Sequence, residues 1–155
     1  DVINAGCRDG ELDVRGISHR GYFASITDFK SYHDANMDLI DYKTATDLFH
    51  DNWPIYTRTN NSCPTHYFDT ANVSNSVISN GSMIEGTVEN SIVGRGCTIK
   101  KGAVIKNCVV LADCTIGENV HIENLVVDKH AKITHAKEII RPADEPGYIK
   151  RNDTL

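Results

Sequence analysis

The sequence predicts a mainly β protein in which short parallel strands wrap into stacked, three-sided coils. One phrase occurs four times: a branched aliphatic residue, any residue, Asn, any residue and two apolar residues. The copies begin at Val73, Val88, Ile105 and Ile122, which are 15, 17 and 17 residues apart. A second series keeps the same spacings: Ile84, Ile99, Ile116 and Ile133. Two markers in one register indicate a repeated structural unit.

Each repeat contains three short apolar runs. These runs are too short for helices and are rich in Val and Ile, which suit a pleated surface. Turn-forming residues separate them, as in Gly94-Arg-Gly, Lys101-Gly and Gly117-Glu-Asn. Stacked coils pair as parallel strands about 4.8 Å apart, so we expect the second isoleucine series to form an interior ladder. An antiparallel meander is the alternative, but meanders lack a locked register.

The turns also carry a more specific signature. An aliphatic residue followed by Gly, Ala, Asp or Glu, with a small residue soon after, is typical of hexapeptide repeats, and Ile116-Gly-Glu-Asn-Val fits it. The repeats therefore resemble the left-handed parallel β-helix, with about four coils over residues 73–140. The left-handed sense comes from this resemblance, because periodicity alone does not give handedness.

The chain before the repeats has a different character. Residues 11–17 and 22–26 are expected to form short strands. Thr27 or Asp28 can cap a helix, because either side chain can accept a hydrogen bond from a first-turn amide. A second helix is expected to begin at Thr44. Together these elements predict a small α/β unit.

The predicted organisation has four parts. Residues 1–58 hold the α/β unit, in which Pro54 ends regular helix. Residues 59–72 form a linker, residues 73–140 the β-helix, and residues 141–155 a loose tail.

Composition narrows the class of protein. The chain has 155 residues, 40% hydrophobic and 24% charged, with a net charge of −5, which argues against nucleic-acid and anionic-membrane partners. No apolar run approaches membrane-spanning length. There is no signal peptide and no initiator Met, so we expect a piece of a longer or processed chain.

Five cysteines without Cys-x-x-Cys spacing suggest reduced thiols in a cytoplasmic protein, with Cys97 and Cys114 as small interior residues.

Three motifs identify a resemblance to one family. Residues 21–39 carry Gly-Tyr-Phe-Ala-Ser-Ile-Thr-Asp-Phe-Lys-Ser-Tyr followed by Ala-Asn and Leu. Pro54-Ile-Tyr-Thr and Gly86-Thr-Val-Glu-Asn-Ser-Ile-Val follow in the same order. This resembles ADP-glucose pyrophosphorylase (glucose-1-phosphate adenylyltransferase) over residues 12–140. The resemblance implies the end of a Rossmann-like nucleotidyltransferase domain followed by a complete β-helix, with the nucleotide pocket upstream.

The departures from the family pattern concern its magnesium site. The family has Trp at the position of Phe23, Asp at that of Ser25, and Gly-Thr at those of Thr27 and Asp28. The family Asp at the position of Ser25 helps to hold Mg²⁺. A neutral hydroxyl is a poor substitute for a carboxylate ligand. The pattern is most like the GlgD-type regulatory subunit, which is catalytically degenerate. That resemblance implies a catalytic partner subunit, a homo- or hetero-oligomer and a cytoplasmic role in glycogen biosynthesis. An active adenylyltransferase subunit is the alternative, and a pure oligomerisation module is another.

Two further sets of residues are candidate sites. Phosphorylated metabolites act as effectors in this family, and an anion needs converging cations. Four basic residues lie close together in sequence: Arg95, Lys100, Lys101 and Lys106. The alternative is that they solvate the outer face. His121 lies on a coil, as does the general base of hexapeptide acyltransferases, which bind acyl-CoA. The extruded loop of those enzymes is missing here.

Overall fold

The computed structural model describes residues 2–57 and 61–155, and a three-sided parallel β-helix dominates it. The helices are α1 (Val2–Arg8), α2 (Phe29–Met37) and α3 (Tyr42–Leu48), with a 3-10 turn over Asp38–Ile40. The strands, in chain order, are β1 (His66–Tyr67), β2 (Asn72–Ser74), β3 (Val77–Ile78), β4 (Met83–Ile84), β5 (Thr87–Glu89), β6 (Ile92–Val93), β7 (Thr98–Ile99), β8 (Val104–Lys106), β9 (Val109–Val110), β10 (Thr115–Ile116), β11 (His121–Glu123), β12 (Leu125–Val127), β13 (Lys132–Ile133), β14 (Glu138–Ile140) and β15 (Gly147–Ile149). No helix in the described ranges is long and apolar enough to cross a membrane.

Three parallel sheets form the sides of the prism. Sheet I contains β1, β4, β7, β10 and β13, sheet II contains β2, β5, β8, β11 and β14, and sheet III contains β3, β6, β9, β12 and β15. Neighbours in each sheet are one coil apart, so five strands span about four turns. The predicted mainly β fold and number of coils are confirmed.

The interior ladders follow the predicted register. Ile84 pairs with Ile99, Ile99 with Ile116, and Ile116 with Ile133. All four side chains are fully buried. Cys97 and Cys114 are buried members of a second interior column, as the sequence indicated, and each thiol donates to a main-chain carbonyl of the next coil. The core is thus a stack of equivalent positions.

The Asn of each phrase forms a ladder along one corner of the prism. Asn75, Asn90, Asn107 and Asn124 all have positive φ, between 42° and 55°. Asn tolerates this left-handed conformation better than other side chains. Asn75 donates its amide to Asn90, and Asn90 donates to Asn107, at 2.8 and 2.7 Å. The turn therefore favours Asn, and the side chains of Asn75, Asn90 and Asn107 also link successive coils.

The two apolar residues that end each phrase face opposite sides of sheet III. The second residue points inward, while the first lies on the outer face, in a column formed by Val77, Ile92, Val109, Val126 and Tyr148. Helix α2 contacts β9, and Val109 and Val126 are almost completely buried. The helical segment therefore covers the middle of this outer face, which explains why both positions are apolar there.

Several boundary predictions were wrong. The strands expected over 11–17 and 22–26 are absent, and no described strand pairs with these segments. The second helix begins at Tyr42 because the Asp41 carboxylate caps it by accepting from the amide of Thr44 at 2.9 Å. Helix α1 was not anticipated.

The β-helix also extends beyond both expected ends. β1 lies within residues 59–72, which were predicted to be a linker, and it pairs with β4. β15 lies within residues 141–155, which were predicted to be a loose tail, and it pairs with β12. Short first and last coils lack the full phrase, so the repeat pattern did not reveal them.

Candidate functional site

The segment before α2 contains the positions at which the sequence departs from the family pattern, and Asp28 caps the helix there. Its carboxylate accepts from the amide of Ser31 at 2.7 Å, and the Ser31 hydroxyl oxygen accepts from the Asp28 amide at 3.0 Å. The hydrogen bond from the Ser31 amide, followed by the interaction with the Ser31 side chain, holds the pKa of the Asp28 carboxyl below its ordinary value. The predicted cap is confirmed, and the Asp28 carboxylate is already committed to it.

Phe23 and Ser25 lie in the extended segment that packs beside α2. Tyr22 fixes this segment, because its hydroxyl donates to Asp38 at 3.0 Å. Burial, followed by the Asp38 contact, raises the pKa of Tyr22. Phe23 borders an apolar cavity of about 390 Å³ that Leu39 and Leu48 also line. Ser25 is exposed.

The residues around Ser25 do not suit a magnesium ion. Mg²⁺ prefers anionic oxygen ligands in tight octahedral geometry. Ser25 is neutral, and the nearby carboxylate of Asp28 is occupied by its helix cap. Within the described ranges, no group of three or more His, Cys, Asp or Glu side chains could hold a metal ion. The ligand set at these family positions is therefore inadequate as it stands.

His33 links the helical segment to the β-helix. It is buried, and its Nε2 lies 2.9 Å from the carbonyl oxygen of Asn107. Because a carbonyl only accepts, Nε2 must carry a proton. Nδ1 lies 3.5 Å from Asp34, whose pKa is lowered chiefly by its ion pair with Lys30. Sequence reasoning missed His33; the available signal was its place within the predicted helix.

The predicted effector residues lie on different turns and strands of the β-helix. Arg95 lies in the turn between sheets III and I, Lys100 and Lys101 between sheets I and II, and Lys106 at the end of β8. The amino group of Lys100 lies 3.5 Å from Glu85, and that of Lys106 lies 3.0 Å from Glu89. Charges on successive coils thus pair along the outer face. An effector site formed by all four residues stays a prediction.

Lys101 borders a notch at the corner between sheets I and II. The cleft has a volume of about 430 Å³ and is also lined by Gly86, Glu118 and Asn119. It lies where one coil is two residues shorter than the others, which is the origin of the 15-residue spacing. The shortened main chain leaves no room for a side chain: a Cβ on Gly86 would lie 2.5 Å from the carbonyl oxygen of Ala103.

His121 lies on the outer face of β11 with a carboxylate near each ring nitrogen. Nε2 is 3.8 Å from Glu123, and Nδ1 is 3.5 Å from Glu138. Nε2 is buried and makes no hydrogen bond within the described part of the chain. The acyltransferase alternative stays a prediction.

These features define the class of protein: a hexapeptide-repeat parallel β-helix with a helical segment packed along one side. Residues 64–145 match the family model described as GlmU-like, C-terminal hexapeptide. The chain belongs to that family.

Comparison with curated proteins supports the resemblance seen in the motifs. The chain is 36% identical to the glycogen biosynthesis protein GlgD of Bacillus subtilis (strain 168) over 140 residues, which is 90% of this chain and 41% of GlgD. It is 42% identical over 86 residues to glucose-1-phosphate adenylyltransferase of Geobacillus stearothermophilus, covering 56% of this chain and 22% of that protein. The Bacillus mycoides (strain KBAB4) adenylyltransferase is 36% identical over 122 residues, covering 79% and 32%. The chain thus spans less than half the length of these relatives.

Proposed function

We propose that this chain is the C-terminal part of a regulatory subunit of glucose-1-phosphate adenylyltransferase, acting in ADP-glucose synthesis for glycogen. The class of pathway is supported by its relatives, which are adenylyltransferases and a glycogen biosynthesis protein. The similarity to GlgD extends over 90% of the chain, including the helical segment.

The observation that carries the regulatory assignment is Ser25 at the family's magnesium-binding position. Adenylyl transfer develops negative charge on phosphate oxygens, and a bound Mg²⁺ supplies the positive charge that neutralises it. Ser25 offers no charge, and Asp28 is held as a helix cap. This subunit therefore contributes to the enzyme chiefly through assembly and regulation.

The proposed partner is a catalytic adenylyltransferase subunit in the cytoplasm. The β-helix supplies a rigid body, and α2 joins it to the segment that carries the transferase positions through His33 and Asn107. A phosphorylated metabolite that binds either region could thereby change the activity of the partner, since allostery requires only a coupling free energy between the two sites.

The test uses the full-length protein, alone and mixed with its catalytic paralogue. ADP-glucose formation from ATP and glucose 1-phosphate is measured with and without Mg²⁺. We expect negligible turnover by the protein alone and altered kinetics of the paralogue in the mixture. Substantial Mg²⁺-dependent turnover by the protein alone would overturn the regulatory assignment.

A pair of substitutions tests the role of Ser25 directly. Ser25→Asp restores the family carboxylate, whereas Ser25→Asn is similar in size and stays neutral. If the missing carboxylate limits catalysis, Ser25→Asp alone increases turnover or tightens Mg²⁺ binding, measured by titration calorimetry. Equal behaviour of the two variants would show that other positions have also degenerated or that Ser25 does not limit the reaction.

A further inference from the structure

The corner between sheets I and II is incomplete in one coil of the β-helix. Five residues lie between the interior positions of these two sheets at 67 and 73, and five lie between those at 99 and 105. Only three lie between Ile84 and Val88, which hold the same positions in the intervening coil. This coil therefore lacks two residues of main chain that both neighbouring coils possess, and the notch beside Lys101 is the space that they leave.

The notch has the height of a single main chain. Parallel strands lie about 4.8 Å apart, so the complete corners on either side, which are two coils apart, are separated by about 9.6 Å. At its base, Gly86 is held so close to the next coil that an added Cβ would lie 2.5 Å from the carbonyl oxygen of Ala103. No side chain at this position can therefore fill the space. The Ala103 carbonyl already accepts from the amide of Thr87 at 2.8 Å.

One wall of the notch carries a main-chain donor without a partner. Asn119 donates its amide to the carbonyl of Lys101, in the coil before it, at 3.2 Å. Gly102 holds the equivalent position one coil earlier and is also in the left-handed region, with a φ of 74° against 56° for Asn119. The residue that would accept from Gly102 is one of the two that are missing, and its amide makes no hydrogen bond within residues 2–57 and 61–155. The Gly102 N–H is therefore directed into the notch.

The charges around the notch favour a neutral acceptor over an anion. Its lining contains one cation and one carboxylate among small and polar residues: Thr70, Gly86, Thr87, Lys101, Gly102, Glu118 and Asn119. An anion needs converging cations, whereas the carbonyl of a peptide group needs only the donor that Gly102 offers. An extended peptide also has the right thickness, and main-chain hydrogen bonds to an open edge are a recurring mode of peptide recognition.

We propose that the notch binds an extended polypeptide segment of another chain, whose main chain takes the place of the two missing residues. A carbonyl of this segment accepts from the Gly102 amide. Gly or Asn is expected at the residue that follows this carbonyl, because Gly102 and Asn119 are both left-handed at the equivalent position. The flanking side chains of the segment project past Lys101 and Glu118 into solvent. The proposal does not depend on the regulatory assignment, which rests on Ser25.

The probe is the capped dipeptide acetyl-Lys-Gly-amide, which supplies the two missing residues with the types found at 101 and 102. A ligand of this size buries little surface, so we expect a Kd of about 1 mM. Isotope labelling of lysine carbonyls and glycine amides in the full-length protein restricts the NMR spectrum to Lys-Gly pairs, and Lys101-Gly102 is the one such pair in this sequence. We expect the dipeptide to shift the Gly102 amide signal saturably and to slow its hydrogen exchange.

Two variants close the notch in different ways. Insertion of Lys-Gly between Glu85 and Gly86 completes the corner covalently, so the Gly102 amide should exchange slowly without the dipeptide and should no longer respond to it. Circular dichroism should show that this variant keeps the β-helix, since it restores the regular coil. Glu118→Trp places a bulky side chain over the notch and is expected to weaken binding about tenfold. His135→Trp, at the equivalent position one coil further on, is the matched control and should bind normally.

Three results would overturn the proposal. The first is a Gly102 amide that does not respond to the dipeptide at saturating concentration. The second is a Gly102 amide that exchanges slowly in the wild-type protein before any dipeptide is added, because another segment of the same protein would then fill the notch. The third is a larger response to inorganic phosphate than to the dipeptide, which would mean that the notch binds anions.

Discussion

The asparagine ladder allows a prediction with a built-in comparison, at Asn107. This residue has a φ of 49°, and its Oδ1 accepts from the Asn90 amide at 2.7 Å. Asn107→Ala removes the hydrogen bond, which is worth about 1 kcal/mol, and places a Cβ residue with no compensating side chain in a conformation that costs about 1–2 kcal/mol. We expect a total loss of about 2–3 kcal/mol in the free energy of unfolding.

Two other substitutions separate these contributions. Asn107→Gly loses the hydrogen bond but tolerates positive φ, so its cost is expected to be about 1–2 kcal/mol once the greater freedom of the unfolded chain is included. Asn107→Asp keeps an acceptor in the same place and tolerates the left-handed region, so it should be the mildest. The expected stability therefore decreases in the order Asn107→Asp, Asn107→Gly, Asn107→Ala.

Thermal unfolding followed by circular dichroism provides the measurement. For a chain of this size, 1 kcal/mol corresponds to about 2–4 °C in Tm, so Asn107→Ala should lower Tm by about 4–12 °C. If Ala proves as stable as Asp, neither the left-handed conformation nor the amide ladder matters at this corner, and the account of the repeated phrase given above is wrong.

Three further predictions concern other parts of the molecule. Gly86→Ala should destabilise the fold by about 1–3 kcal/mol in urea unfolding because the new Cβ meets main-chain atoms, whereas Gly16→Ala, with open space around it, should have little effect. Burial raises the pKa of Cys108 to about 12, so this thiol should react with a disulfide reagent only after unfolding, while the exposed Cys63 reacts at once; equal rates would contradict the buried position. The lowered pKa of Asp28 means that its cap stabilises α2 above the ordinary Asp value and that this contribution is lost as the pH falls towards the lowered value. Asp28→Asn should remove this acid dependence from amide exchange in α2, and an unchanged pH profile would disprove it.

The sequence predicted the β-helix well because its evidence was repeated. Four successive coils carry the same interior isoleucine, so Ile99 and Ile116 confirm each other's register. Residues 11–17 offered only a local pattern, and local strand propensity forms no strand without a neighbouring strand to bond with. Strand β1 was missed because Tyr67 occupies the position at which the repeat has Ile, and so it does not match the pattern.

The candidate site was harder to predict because it depends on three-dimensional placement. Lys100, Lys101 and Lys106 are close in sequence, but a coil turns a corner every five or six residues, so closeness in sequence does not by itself bring their side chains together. Ser25 was singled out because the resembling family has a magnesium-binding Asp at this position. Hydrophobic periodicity alone would not have identified it. His33 depends on a contact with a residue 74 positions away.

The helix lying along sheet III changes how this solenoid should unfold. Coils that touch only their neighbours can melt one after another from an end. Here Phe29, at the start of α2, packs edge-on against Tyr148 of the last coil, with ring centroids 5.7 Å apart. His33 reaches the middle of the stack at Asn107, and Leu39, just beyond the helix, borders a groove with Val77 of the first coil. The helical segment thus contacts the first, middle and last coils. We therefore expect fraying at either end of the β-helix to require detachment of α2, so that the β-helix unfolds in one cooperative step.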